Sequence, residues 1–321
     1  MNRRLRVGTQ LQVTGLVMLL SLCSLLMAPA RSAQEEQEDA ARRLWNKKFV
    51  EARADAKKTP AKSQTGGSTR PTATQPKTEA NAVTPSGATT EVVQGELIGI
   101  TLWRLRAATA RDDQSKPRLL VQKDAAASGP YLPERVAADT PFKEGQFVRL
   151  SIEAPRENDA YLYVIDREVY ADGKMGDPYL IFPAQSTPSG GNVVTAGKVI
   201  YVPAQGDPIP YFTLTRNRGD QVGESLTIII SPQPLPVGVG LLKLDPAQVA
   251  EWEKQWGGPT ERREARSEVG KGWTVAEKEV EDSQGKRLLT QTDPLPQTIY
   301  RIAAKSGGPV LINVPLRIAP Q

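Results

Sequence analysis

The sequence predicts a mainly β protein: an antiparallel, Ig-like β-sandwich with a small C-terminal helical insertion and a closing hairpin, preceded by a signal peptide, a helix and a disordered linker. Beyond residue 91 the chain consists of short runs of β-branched and aromatic residues separated by Gly, Pro, Asn and Asp, which is typical of strands joined by turns. No helical pattern separates these runs before residue 237, so parallel crossovers are hard to build and antiparallel pairing is favoured.

The first element, residues 1–30, predicts an export signal. Three arginines in the first six residues precede a mostly apolar run at 16–27, and residues 28–30 form the small-x-small cleavage pattern Ala-Pro-Ala. The apolar run is shorter than a membrane-spanning helix requires. We therefore expect a mature chain that begins near Arg31 and is periplasmic or extracellular. The alternative is an uncleaved signal, which would then attach the chain to the membrane.

Residues 31–58 predict a helical stalk. Strong helix formers fill residues 34–58, and apolar residues recur there every three or four positions in a narrow stripe that includes Trp45 and Phe49. We favour an isolated stalk between signal and linker. The alternative is docking on a partner or a membrane surface through these two aromatic residues.

Residues 59–94 predict a disordered linker. Val83 is the only large apolar residue of the stretch 59–90, which otherwise consists mostly of Thr, Pro, Gly, Ser, Ala and Lys. Such a segment cannot bury enough surface to offset the entropy of ordering itself.

Residues 95–236 predict the β-sandwich module. The runs predicted as strands are 97–105, 118–122, 147–154, 161–166, 179–182, 199–202, 211–214 and 226–230. In the third run apolar residues alternate with Arg149, Ser151 and Glu153, which predicts a strand with one solvent-exposed face. The runs at 161–165 and 228–230 are apolar on both faces and so are predicted to be central.

Residues 237–321 predict a helical segment and a hairpin that pack on the module. Asp245-Pro246 is an N-cap followed by proline at the first helical position, and the helix it opens ends at Gly257-Gly258. The charged stretches 260–268 and 274–282 are also predicted to be helical. The strands 298–303 and 310–318 are predicted to form the closing hairpin and to rejoin the β core.

Composition excludes many catalytic classes. The chain has no histidine, and its single cysteine, Cys23, lies inside the predicted signal. Ser-His-Asp and Cys-His triads, histidine zinc sites, haem ligation by histidine and thiolate chemistry are therefore excluded for the mature chain, and so are disulfides. We predict that the protein is not an enzyme and needs no cofactor.

The charge balance does not favour nucleic acid as a partner. The formal charge of +5 includes the three arginines of the signal, so the mature chain is about +2 (5 − 3). Acidic residues lie close to the two basic clusters at 42–48 and 262–266, which is typical of solvated surfaces.

The stretch 142–234 resembles the domain-of-unknown-function family 4384, a bacterial module of envelope and multidomain proteins. The segments that carry the resemblance are, in order, Glu144-Gly145-Gln146, Asp159–Asp166, Ala171-Asp172-Gly173, Leu180–Pro183, Tyr201-Val202-Pro203 and Ser231-Pro232. The resemblance implies a β-rich, sandwich-like module with no established activity and no agreed catalytic residues, so no site can be carried over. This chain departs from the family pattern at 167–178, where the turn after the central strand is longer.

The lengthened turn supplies the candidate site residues. A cluster of acidic residues outside the cell is a candidate calcium site, although its spacing does not match the twelve-residue EF-hand loop, and ordinary turn chemistry is the alternative. These acids are Asp166, Glu168, Asp172 and Asp177. Tyr170 and Tyr179 flank the turn and are the aromatic residues best placed to stack on a sugar ring.

Three functional hypotheses follow. The first is a non-enzymatic envelope protein that acts as an interaction or scaffold module for another envelope protein. The second is a module that binds glycan or peptidoglycan through Tyr170 and Tyr179. The third is a carboxylate-based hydrolase, which requires a cleft with two facing acids.

Overall fold

The computed structural model describes residues 49, 53, 95–122, 128–156, 159–204, 207–283, 287–304 and 307–320. The predicted signal (1–30) and linker (59–94) lie outside these residues. The predicted mainly β, antiparallel sandwich is confirmed: the described residues form two sheets, one of eight and one of seven strands. No helix among the described residues is both long and apolar enough to cross a membrane.

Most of the strands precede two short helices that lie toward the C-terminus. The strands are β1 (Glu96–Ala107), β2 (Leu119–Gln122), β3 (Ser128–Val136), β4 (Pro141–Phe142), β5 (Phe147–Glu153), β6 (Ala160–Tyr170), β7 (Tyr179–Phe182), β8 (Val193–Val194), β9 (Ile200–Val202), β10 (Phe212–Thr213), β11 (Gln221–Ser231), β12 (Leu242–Lys243), β13 (Thr260–Glu264), β14 (Thr298–Ile302) and β15 (Val310–Ile318). The helices are α1 (Pro246–Trp256) and α2 (Val275–Asp282), with a single 3-10 turn at Arg266–Glu268 between them.

Each sheet is organised around one long strand. In sheet A, β1 pairs with β5 along one side and with β14 and β3 along the other, and β2, β9, β10 and β13 complete the sheet. In sheet B, β11 lies between β6 and β15, and β4, β7, β8 and β12 complete the sheet. All pairings between these strands are antiparallel except the short one between β4 and β15.

The main hydrophobic core lies between the two sheets. Alternate residues of β1, such as Ile98 and Ile100, face alternate residues of β6 and β11, such as Val164 and Ile228. These side chains are at most 1 % exposed. Because side chains alternate across a strand, the same register turns the intervening residues to the outer face of each sheet.

Helix α1 covers part of the outer face of sheet B. Its Val249 and Trp252 pack with Tyr163 and Ile229, in a small cluster of their own. The helix begins where the sequence predicts, because the carboxylate of Asp245 accepts a hydrogen bond from the first turn.

Helix α2 and the residues around it cover the outer face of sheet A. Trp273 and Val280 pack against Trp103 of β1 in a second cluster. The predicted solvent-exposed face of β5 is therefore wrong: Arg149, Ser151 and Glu153 are 0 %, 8 % and 4 % exposed. The alternation was correct, but a later segment of the chain covers the polar side.

Two further predictions in the C-terminal region are wrong. Residues 260–264 are not helical, because they form β13 and pair with β14 over their whole length. The last two strands do not form a closing hairpin: β14 pairs with β1 and β13 in sheet A, whereas β15 pairs with β11 and β4 in sheet B. The connection at 303–309 thus crosses from one sheet to the other.

Candidate functional site

The candidate site begins where β6 leaves the hydrophobic core. Leu162 and Val164 of this strand point into the core. The sequence predicts a turn after Asp166, but the strand continues to Tyr170 and its pairing with β11 is regular as far as Val169. By alternation Asp166 and Glu168 continue on the core side of the sheet. The turn itself follows Tyr170 and includes Gly173, whose φ of +82° favours glycine.

The neighbouring strand β11 adds a third acid. Glu224 lies directly opposite Glu168 in the β6–β11 register, and Asp166 lies two residues further along β6. A register shift at Gln221–Gly223 precedes it. A Cβ at Gly223 would lie 2.2 Å from the carbonyl oxygen of Leu316, so the close approach of β15 requires glycine at this point.

The three acids line an open cleft of about 1300 Å³, which we call the carboxylate cleft. The other polar side chains of the cleft are those of Tyr170, Asp177, Tyr179, Asn217 and Arg218. Apolar walls come from Met175, Ile181 and Leu241. The cleft thus combines hydrogen-bonding groups with apolar and aromatic surface, which is the composition of ligand pockets in general.

Glu168 is fixed within the cleft. The hydroxyl of Tyr170 donates to one carboxylate oxygen and the amide of Asn217 to the other. The guanidinium of Arg218 lies over the Tyr170 ring, 4.0 Å from its centroid, and pairs with Asp220 at 2.8 Å. The hydrogen bond to Glu168 raises the pKa of Tyr170. These contacts fix the orientation of the Glu168 carboxylate as a hydrogen-bond acceptor.

Asp166 and Glu224 lack such support. Burial is the main cause that raises the pKa of Asp166 to about 6 and that of Glu224 to about 8, and the neighbouring acids add to it. The Oδ1 atom of Asp166 is buried and has no hydrogen-bond partner among the described residues. Like charges directly opposite each other on neighbouring strands are destabilising, so the arrangement costs the fold free energy when Glu224 loses its proton.

The structure brings the predicted site residues together only in part. Asp166, Glu168, Tyr170, Asp177 and Tyr179 all line the cleft. Tyr179 is 39 % exposed at the cleft wall, whereas Tyr170 is 8 % exposed. Both tyrosines were predicted as stacking residues, but the hydroxyl of Tyr170 is used to hold Glu168.

The four acids predicted to bind calcium separate into two groups. Asp166 and Glu168 face the cleft. Asp172 pairs with Lys174 at 2.7 Å and Asp177 pairs with Lys243 at 2.5 Å. Within the part of the chain that the structure describes, no three acidic side chains are arranged to hold a metal ion.

Two residues that matter to the chemistry of the cleft, Glu224 and Asn217, were not identified from the sequence. Both residues lie between the predicted strands 211–214 and 226–230, in a stretch for which the sequence predicts no site. The second of these strands in fact begins at Gln221. The signal that locates Glu224 is its alternation with the core residues Leu226 and Ile228.

Comparisons of the chain with family models, with curated proteins and with solved structures gave no match. The resemblance to domain-of-unknown-function family 4384 therefore stays a prediction from the sequence.

Proposed function

We propose that the chain is an exported, non-enzymatic interaction module of the bacterial cell envelope, which binds an envelope protein at the carboxylate cleft. Export follows from the signal predicted at residues 1–30. The observation that carries the proposal is that Asp166 and Glu224 face an open cleft without an arginine or lysine partner among the described residues.

The partner chemistry follows from the protonation of the three acids. Glu168 accepts hydrogen bonds from two donors, and Asp166, with a pKa of about 6, is mostly ionised near pH 7. Glu224, with a pKa of about 8, keeps its proton and can donate one hydrogen bond. A lysine or arginine side chain of the partner would supply the positive charge for these acids, because Arg218, which also lines the cleft, already pairs with Asp220.

The second candidate function is binding of glycan or peptidoglycan. It is favoured by Tyr179, an exposed ring beside carboxylates that accept hydrogen bonds from sugar hydroxyls. In this case Tyr179→Ala should weaken retention on cell-wall polysaccharide at least as much as Glu168→Gln does.

The test is a pull-down from envelope extract with the mature chain, residues 31–321, as bait. We expect a protein that is retained by the wild type and is lost, by tenfold or more, with the double variant Glu168→Gln/Glu224→Gln. The matched control is Glu251→Gln, which removes an exposed acid of α1 and should retain the partner fully.

Three outcomes contradict the proposal in different ways. Equal recovery of a protein by the double variant would show that binding occurs elsewhere. Recovery of polysaccharide alone would favour the glycan hypothesis. Turnover of a glycan substrate that is lost in Glu224→Gln would identify a carboxylate hydrolase, for which the raised pKa of Glu224 would suit a general acid.

A further inference from the structure

Two described residues upstream of the predicted linker are buried in the β module. Phe49 is 0 % exposed and packs with Leu97 of β1 and Ile299 of β14, next to the half-buried Leu295. Arg53 is 1 % exposed. Both residues are helical, and since they are four residues apart they share one face of a helix.

Arg53 uses its whole guanidinium group. Nε and Nη2 donate to the two carboxylate oxygens of Glu153 at 2.9 and 2.8 Å. The other donors reach the carbonyl oxygens of Thr290, Asp293 and Pro294 at 3.1, 3.0 and 3.3 Å. These contacts account for all five N–H groups of an arginine, in the fork geometry that lysine lacks.

The surface of the module that Arg53 contacts contains a buried acid whose charge Arg53 balances. Glu153, at the end of β5, is 4 % exposed, and Arg53 is its salt-bridge partner. Burial raises the pKa of Glu153 even though Arg53 opposes the rise. Removal of one partner of a buried ion pair leaves an uncompensated charge, which is far more costly than loss of a surface pair.

We propose that the surface formed by Leu97, Ile299, Glu153 and the carbonyl groups of residues 290–294 is a recognition site for a helix that carries an aromatic residue and an arginine four positions apart. Its occupant is the chain's own segment at 49–53, which acts as a tethered intramolecular ligand. Phe49 and Arg53 thus tie the segment that carries them to the module.

The length of the connection favours binding within one chain. Residues 54–94 comprise 41 residues, and for the linker that their composition predicts the random-coil relation gives a span of about 35 Å. Such a tether gives an effective concentration on the order of 1 mM. A second copy at micromolar concentration competes poorly against it, so the site is expected to be filled in cis.

The first test is to cut the tether in the mature chain, residues 31–321. A site for a specific protease is inserted between Gly66 and Gly67, and the cleaved protein is examined by size exclusion and native mass spectrometry. We expect the N-terminal fragment to stay with the module, and Arg53→Ala to release it with an affinity loss of at least tenfold. The control Arg263→Ala, which removes an arginine of a partly exposed pair, should retain it.

The second test leaves the module unchanged, so misfolding of a variant cannot explain the result. A labelled synthetic peptide of residues 41–58 is added to the cleaved wild-type protein. We expect it to exchange with the bound fragment, whereas the same peptide with Phe49→Ala and Arg53→Ala should not. Free separation of the fragment from the cleaved wild type, or equal exchange of the two peptides, would overturn the proposal.

Discussion

Three buried acids at the outer face of sheet A have arginine partners, whereas the partly buried acids of the carboxylate cleft on sheet B face one another. The pairs on sheet A are Arg53–Glu153, Arg135–Glu277 and Arg149–Glu281. The acids of the cleft are Asp166, Glu168 and Glu224. Arg167 follows Asp166 in sequence, yet it points to the other face of β6 and pairs with Glu253 of α1.

The aromatic residues show the same contrast. On sheet A the guanidinium of Arg135 lies 4.8 Å from the ring centroid of Trp103, and that of Arg149 lies 4.6 Å from that of Tyr201. Rings, arginines and acids there form one covered layer beneath α2. In the cleft, the exposed Tyr179 leaves aromatic surface open to a ligand.

This difference separates acids that stabilise the fold from acids that destabilise it. A buried charge is tolerated where an opposite charge lies beside it, as in the three arginine–acid pairs at the outer face of sheet A. Unpaired acids with raised pKa values in an open cleft cost stability, and departures of this kind concentrate at functional sites. The comparison therefore supports a structural role for the first set, and it is the basis for proposing ligand binding at the second.

The largest expected effect is on the covered layer. Glu281→Ala leaves the guanidinium of Arg149, which is 0 % exposed, without its carboxylate, and we expect a loss of about 3–5 kcal/mol in the free energy of unfolding. Urea denaturation measures this. Replacing both Arg149 and Glu281 by Met should recover most of the loss, because neither charge then remains buried.

The control for this prediction is Glu261→Ala, which breaks the exposed pair with Arg263 and should cost less than about 1 kcal/mol. If the Met double variant were as unstable as the single variant, packing and not charge would explain the result.

The second prediction is that replacing an acid of the cleft raises the free energy of unfolding, whereas replacing an acid of the covered layer lowers it. The pKa of Glu224 is raised from 4.5 to about 8, so between these pH values the native state holds a proton that the unfolded state has lost. The free energy of unfolding therefore falls as pH rises through this window, by an amount on the order of 3 kcal/mol. Glu224→Gln should remove this part of the pH dependence and stabilise the protein at pH 8.

Urea denaturation at pH 5, 6.5 and 8 checks this prediction against the exposed-acid control Glu251→Gln, which should leave the pH dependence unchanged. A Glu224→Gln protein that is less stable than the wild type at pH 8 would mean that the ionised carboxylate contributes to the fold. The cleft would then resemble the covered layer of sheet A.

The parts of the fold that could be predicted from the sequence are those with local signals. The core strands alternate in hydrophobicity, and α1 has both its N-cap Asp245 and its terminating Gly257 in the sequence. The prediction of a helix at the position of β13 was wrong because Thr-Glu-Arg-Arg-Glu consists largely of helix formers. Its strand conformation depends on pairing with β14. The prediction of a closing hairpin was wrong because a Gly-Pro connection is compatible with either a hairpin or a crossover between sheets.

In the candidate site, too, the residues that lie close together in sequence could be predicted and the distant one could not. Asp166, Glu168, Tyr170 and Tyr179 lie within one short stretch, so composition alone singled them out. Glu224 comes from a distant strand, and only the register of β6 with β11 places it opposite Glu168. The burial of Arg149 and Glu153 could not be predicted for the same reason, since α2 and Arg53, which cover them, are remote in sequence.

The smallest expected effect concerns the helix caps on the two faces. Thr274 and Glu277 form a reciprocal capping box at the start of α2, with backbone-to-side-chain distances of 3.2 and 2.9 Å, and Asp245 caps α1 at 2.9 Å. Loss of such a cap costs about 1 kcal/mol. Glu277 also pairs with the buried Arg135, whereas Asp245 serves its helix alone.

We therefore expect Thr274→Ala to cost more than Asp245→Ala and to speed amide hydrogen exchange throughout α2. The reason is that a frayed first turn loosens Glu277 and admits water to the covered layer. Asp245→Ala should speed exchange in the first turn of α1 and leave α2 unchanged. Equal costs for the two variants would show that the capping box is independent of the buried pair, and that the acids of α2 are held in place by packing alone.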